Sequence, residues 1–314
     1  MDYFLFNFSG VQFHYTMSLP QLFLNTCGIY ENTGQKMILT DERFKKTKLI
    51  CNENYERMRG MQMEVAGFLA LGILVGLLGA LLGIGGGMVI VPLLVFAWDY
   101  EPQLAIGTSV LMVLMNAVSG TWGYIRQKKV CVDAALKFAV ATVPGAFLGS
   151  YAAEYLQGRL FYLVFGAFFV LAAINMYRKA SKNAAGKTAG EVPEVYNWKL
   201  GVLCSVGVGF LASILGIGGG IVHVPFMVYV LNFPVHVAIA TSTCILAVSS
   251  LAGLVSHAML GHIVWTSGLA IGAGAFVGAQ GGVALAQRLQ SGILMKLASV
   301  LVLITGIKFL LDAL

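Results

Sequence analysis

The segment LLGIGGGMVIVP at residues 81–92 returns, almost unchanged, as ILGIGGGIVHVP at 214–225. Nine of the twelve positions are identical, every glycine among them. Both copies sit inside long apolar stretches, where one glycine costs about 1 kcal/mol relative to alanine in a helix. Two such runs point to a duplicated unit whose helix is interrupted at the same place each time. A displacement of 133 residues, Leu82 onto Leu215, also lays Pro92 on Pro225 and Thr108-Ser109 on Thr241-Ser242.

The setting of these runs is a lipid bilayer. Hydrophobic residues make up 58% of the 314 and charged residues only 11%, against roughly 25% charged in soluble domains. The net charge of +6 comes from short loops and tails, where membrane proteins carry it, so nucleic acid is not an expected partner. The five cysteines lack metal-ligand or CxxC spacing, which argues against a zinc site or a disulfide framework. No metal or cofactor is expected.

Apolar segments run over 65–82, 88–98, 103–125, 133–155 and 158–178. After the polar linker 179–199 they run over 200–215, 221–231, 235–258, 263–286 and 291–312. A full span needs about 20 apolar residues, so 88–98 and 221–231 read as half-helices. The expected fold is all-α: a polytopic membrane protein of two homologous repeats, 65–178 and 200–314, each with a Gly-broken helix and three full spans. Residues 1–60 are a mixed-charge extension, read either as a poorly ordered tail or as a start assigned upstream of Met61 or Met63. One mismatch stands out. GAFLG (145–149) fits GAFVG (274–278) at a displacement of 129, which suggests a helical turn inserted in the second half.

Charge placement bears on orientation. RQKK (126–129) and RKASK (178–182) are two spans apart and share a side, the cytoplasmic one by the positive-inside rule. In the second repeat the counterpart of RQKK is the uncharged MLGH, and Arg288 sits in the other loop. That exchange favours inverted repeats, which requires 65–82 and 88–98 to be a re-entrant pair; Arg57 and Arg59 before the first span argue the other way.

A helix broken inside hydrocarbon survives only where it packs on protein or lines a cavity. Gly85, Gly86 and Gly87, with Gly218, Gly219 and Gly220, are therefore candidate ligand contacts through their amides. The half-helices that follow present unpaired N–H groups and the positive end of a dipole, a combination that attracts anions. The alternative is that the glycines only allow helices to cross closely. A nucleotide loop is excluded, since no GK[ST] follows.

The pattern of GIGGG, an apolar half-helix with proline, then AIGTS (105–109) or AIATS (238–242), twice over, resembles the TauE/SafE family of sulfite and organosulfonate exporters. The resemblance covers 65–312. It implies a secondary transporter of the cytoplasmic membrane, not an enzyme, that exports a small sulfur-containing anion such as sulfite or a C2 sulfonate. Rocking of one half against the other would alternate access. It also points to hydroxyls early on the next full helix, Thr108, Ser109, Thr241, Ser242 and Thr243, as donors to the anion. Their competing role is back-bonding to their own helix. Asn116 lies eight residues beyond Thr108, near the same face. A passive anion channel, or a thiosulfate-type uptake carrier using the same site, remains open.

His223 breaks the symmetry by replacing Ile90, and a buried ionisable group in a span is a functional candidate. It either takes a coupling proton or stays neutral on a carbonyl. His236, His257 and His262 are expected at the membrane interface, as are Trp122, Tyr124 and Trp265. Asp133 and Lys137 read as a boundary ion pair. Cys244 has no catalytic partner in the pattern. The expected partners are thus a small anion, the bilayer, protons as coupling ion and, for assembly, a homo-oligomer.

Overall fold

The structure is a computed structural model that describes residues 63–155, 158–182, 196–216, 218–289 and 291–313. The extension 1–60 and most of the linker lie outside the described residues. Among the described residues ten helices follow one another: α1 Met63–Leu82, α2 Gly87–Ala97, α3 Pro102–Arg126, α4 Val132–Ala153, α5 Gly158–Lys182, α6 Trp198–Leu215, α7 Gly220–Tyr229, α8 Val235–Met259, α9 Trp265–Ala286 and α10 Ser291–Asp312. Among the described residues there is no strand. Six of these helices, α1, α3, α4, α6, α8 and α9, are long and apolar enough to cross a membrane. Apolar side chains such as Leu136, Val140, Leu203 and Val277 stay outward-facing, as lipid contact requires.

Helices α1–α5 and helices α6–α10 are the same unit twice. Helix starts at 102, 132 and 158 recur at 235, 265 and 291, all at the displacement of 133 that superimposes the GIGGG runs. The inserted turn suggested by GAFLG and GAFVG is therefore absent. A Cβ on Gly145 would collide with Val206 O, and one on Gly278 with Ile73 O; Gly149 meets Phe210 O as Gly282 meets Leu77 O. These are pairs at 133. The false register arises because glycines at 274, 278 and 282 recur every four residues, so a four-residue slip also matches.

Each broken helix is a hairpin. Phe68, early in α1, lies 5.0 Å from Trp98, just past α2. Tyr196, just before α6, lies 5.3 Å from Phe233, just past α7. The mouth of the first hairpin meets the start of α9 through Tyr100–Ser267 at 2.7 Å. The mouth of the second meets the start of α4, where the Tyr196 hydroxyl donates to Asp133 at 2.6 Å. Helix α3, roughly 37 Å long at 1.5 Å per residue, runs from the first mouth to the second.

The repeats are interwoven. α1 packs along α9 through Gly72, Gly76, Gly274, Gly278 and Gly282; α6 packs along α4 through Gly145, Gly149 and Gly209. In every case one backbone lies directly against the other, and the partner belongs to the other repeat. α5 packs on α10, with Phe165, Phe169 and Phe309 in one ring cluster. A motion of one repeat as a rigid body against the other would break these closest contacts.

At the boundaries, Lys137 pairs with Asp133 at 2.8 Å. Trp122 and Trp265 are half exposed, with Arg126 over the Trp122 ring at 4.0 Å. Tyr124 and His257 depart from the interfacial expectation: both are buried. Each holds the carbonyl of a residue near the end of a broken helix. Tyr124 donates to Ala80 O at 2.8 Å, and His257 Nε2 lies 3.1 Å from Ser213 O.

Candidate functional site

Each glycine of GIGGG has its own reason. Gly83 takes φ 67° and closes α1: its N–H bonds Ala80 O, and the N–H of Ile84 bonds Gly79 O, the hydrogen-bond pattern of a left-handed helix stop. Gly85 and Gly86 take φ 86° and 83°, which other residues reach only with strain. Gly216, Gly218 and Gly219 repeat these values at 64°, 77° and 70°. The last glycine needs no special φ. It is glycine because the other break sits against it: a Cβ on Gly220 would collide with Gly83 O and come within 2.7 Å of Ile84 Cα.

The two breaks thus meet, capped by a symmetric pair of side chains. Val113 lies against both Gly85 and Gly218, and so does Leu246, its counterpart in the second repeat. At the start of α2, Val89 and Ile90 donate to Gly86 O; at the start of α7, Gly220 donates to Gly218 O, and Val222 and His223 donate to Gly219 O. The amides of Gly87, Met88 and Ile221 lie at the positive ends of the half-helices.

The Thr-Ser pairs tie each repeat to the other. Ser109 Oγ lies 2.7 Å from both Gly216 O and Ile106 O and shares its one proton between them, and Ser242 donates to Gly83 O at 3.3 Å. Thr108 accepts from Val264 N at 3.0 Å, capping α9, and Thr241 accepts from Cys131 N at 3.0 Å, capping α4. Thr243 back-bonds to Ile239 O at 2.8 Å. Four of the five hydroxyls therefore reach across to the other repeat. Their protons, where the bonds show them, point at backbone carbonyls.

A cleft opens beside this junction, lined by Val110, Val113, Ala212, Ser213, Gly218, Ser249, Ser250 and Gly253. Of the residues predicted from the sequence only Gly218 lines it. It admits about one water-sized sphere, narrower than a sulfite or sulfonate ion. Its polar side chains are three serines. Ser213 Oγ is buried without a hydrogen-bond partner, and Ser250 donates to Leu246 O. These serines escaped the sequence reading because Ser213 and Ser250 are alanines in the first repeat, Ala80 and Ala117. Ser249 has Asn116 as its counterpart, a hint that this helix position carries a polar side chain twice.

Asn116 itself is buried, donates to Gly76 O at 3.0 Å and leaves Oδ1 without a partner. His223 is buried within its own hairpin, with Nε2 3.0 Å from Ser205 Oγ. Since Ser205 gives its single proton to Gly201 O at 2.7 Å, the ring donates to the serine. His223 does not line the cleft. Among the described residues no group of three or more His, Cys, Asp or Glu could hold a metal ion.

Residues 68–309 match the sequence profile of the family described as Sulfite exporter TauE/SafE. The chain is 34% identical to the probable membrane transporter protein YunE of Bacillus subtilis (strain 168), over 77% of this chain and 96% of the relative. It is 30% identical to the probable membrane transporter protein MJ0441 of Methanocaldococcus jannaschii, over 60% and 70% of the two chains. A probable membrane transporter protein of Xylella fastidiosa (strain Temecula1) is 29% identical over 70% of this chain and 84% of its own length. No solved structure matches the chain.

Proposed function

Because the chain belongs to the TauE/SafE family and is a membrane transporter, we propose that it exports a small sulfur-containing anion, such as sulfite or a C2 sulfonate, across the cytoplasmic membrane. The observation that carries this reading is the junction of the two breaks. Two half-helix N-termini converge there, next to a cleft lined by Ser213, Ser249 and Ser250. Backbone amides, dipole ends and hydroxyls can hold an oxyanion without a buried cation. Each half-helix end contributes about 0.3–2 kcal/mol, which suits modest affinity for an abundant anion.

The repeats are inverted in this reading, since their hairpins open at opposite ends of α3. Access alternates around the junction. The cleft is narrow and has to widen for an anion to enter, which favours a carrier over a channel. The moving bodies each combine helices of both repeats, because α1 with α9 and α4 with α6 pack backbone on backbone.

Flux of sulfite and of ethanesulfonate in proteoliposomes tests this. Leucine in the glycine runs is a poor choice, because the left-handed φ values and Val75 or Val208 beside Gly86 and Gly219 would disrupt the fold. Ser213→Ala/Ser249→Ala keeps the backbone intact. Hydrogen bonds to a charged group are worth about 1.5–3 kcal/mol, so saturable flux should fall at least about tenfold. Unchanged flux in the folded double variant would move the site away from the cleft, and no flux of either anion through the parent would reject the substrate class.

A further inference from the structure

His257 breaks the symmetry of the molecule at a place that matters for the cleft. In the first repeat the equivalent positions of His257 and His262 are Tyr124 and Lys129, and Tyr124 simply donates its hydroxyl to Ala80 O. In the second repeat the same structural task, holding the carbonyl of Ser213, is done by an imidazole whose other nitrogen is also engaged. His257 Nδ1 lies 3.3 Å from His262 Nδ1, and the rings are 5.6 Å apart. A carbonyl only accepts, so His257 Nε2 carries a proton toward Ser213 O at 3.1 Å. With both rings neutral, His257 Nδ1 is then the acceptor and His262 Nδ1–H the donor. A proton arriving on His262 Nε2 can therefore be passed on by transfer of the Nδ1 proton, leaving His257 an imidazolium with both N–H groups bonded.

The two ends of this pair have different surroundings. His262 sits in the α8–α9 turn and is partly exposed; burial holds its imidazole below the ordinary value and the charge of Glu154 acts the other way. His257 is fully buried, one helical turn beyond Gly253, and it bonds the backbone of Ser213. Both Gly253 and Ser213 line the cleft, and Ser213 Oγ there has no partner. Of the elements around the pair, α4 brings Glu154 near its end, and α3 carries Glu101 at its N-cap. α9 and residues 205–215 of α6 contain no ionisable side chain.

We propose that His262 and His257 form a proton path that ends behind the cleft, and that a proton on His257 raises the cleft's affinity for an anion. This rests on the cleft being the anion site. An anion in the cleft and a proton on His257 attract each other, so proton and anion bind together. By linkage each strengthens the other's binding by the same factor. His223, hydrogen-bonded inside its hairpin away from the cleft, takes no part.

The test uses the full-length protein in nanodiscs with ethanesulfonate, whose charge is constant across the working range. In the parent, ethanesulfonate should bind more tightly at pH 5 than at pH 8, approaching at lower pH the roughly tenfold change that one unit of coupled pKa shift carries in full. His257→Gln, which keeps a donor for Ser213 O but cannot carry the proton, should flatten this dependence. His257→Tyr, copying Tyr124, should do the same and serves if glutamine destabilises the fold. His223→Gln should retain it. A pH dependence that survives in folded His257 variants overturns the proposal. A second readout is independent of any anion: in 15N-histidine spectra, His257→Gln should shift the titration of His262. If it does not, the two rings share no proton and the path is wrong. Coupled rings in a parent that binds no anion would keep the proton path and reject the anion site.

Discussion

At the scale of single residues, the glycines separate into those that turn the chain and those that let another backbone approach. Gly86 belongs to the first kind, with φ 83° and Val75 Cγ1 2.8 Å from where a Cβ would sit. Gly86→Ala should lower stability by about 1–3 kcal/mol. Gly209 belongs to the second, because its Cβ would collide with Thr142 O, and Gly209→Ala should separate α6 from α4. Gly207, two residues away with nothing within 4 Å, is the control: Gly207→Ala should stay within about 0.5 kcal/mol of the parent. Thermal unfolding in detergent checks all three, and equal losses at 207 and 209 would contradict the packing described here. The serines of the cleft lack such a signal. A serine in an apolar helix reads the same whether it back-bonds, caps a neighbour or faces a cavity.

At the scale of elements, hydrogen bonds between one repeat's long helix and the other's break hold the junction closed. Ser109 and Ser242 occupy equivalent positions, yet their bonds to the opposite break measure 2.7 and 3.3 Å. Each alanine variant leaves a buried carbonyl short of a donor. Ser109→Ala should therefore lower stability by about 1–2 kcal/mol and Ser242→Ala by less. Differential scanning of the two single variants and the double measures this, and the reverse order would show that bond length does not rank them. The four-residue glycine spacing along α9 belongs to this scale too. It makes the sequence register ambiguous between displacements of 129 and 133, and only the packing partner, Ile73 O for Gly278 and Val206 O for Gly145, selects one.

For the whole molecule, hairpins that open at opposite ends of α3 predict an inverted topology across a bilayer. The turn after α3, with Lys128 and Lys129, should face the cytoplasm, and the α8–α9 turn should face the opposite side. In a background lacking the native cysteines, Lys129→Cys and Met259→Cys should label from opposite faces of sealed vesicles. Labelling of both from one face would contradict the inverted arrangement.

The sequence by itself determined the membrane class, the duplication, the positions of ten helices to within a few residues and the two breaks. These are local matters: hydropathy over a segment, the helix-breaking conformation that glycine alone reaches easily, and identity between copies. The family resemblance singled out Ser109 and Ser242 as donors to the anion, whereas in the fold they donate to Gly216 O and Gly83 O. Only the tertiary structure decided that the repeats interweave, that Tyr124 and His257 are buried carbonyl partners, and that the cleft is lined by Ser213, Ser249 and Ser250. Those outcomes depend on which helix faces which. A near-uniformly apolar helix does not encode its facing in a polar stripe, because lipid and protein interior are about equally apolar surroundings. The choice is made by close backbone contacts at glycines and by a few hydrogen bonds, whose partners lie more than a hundred residues away along the chain.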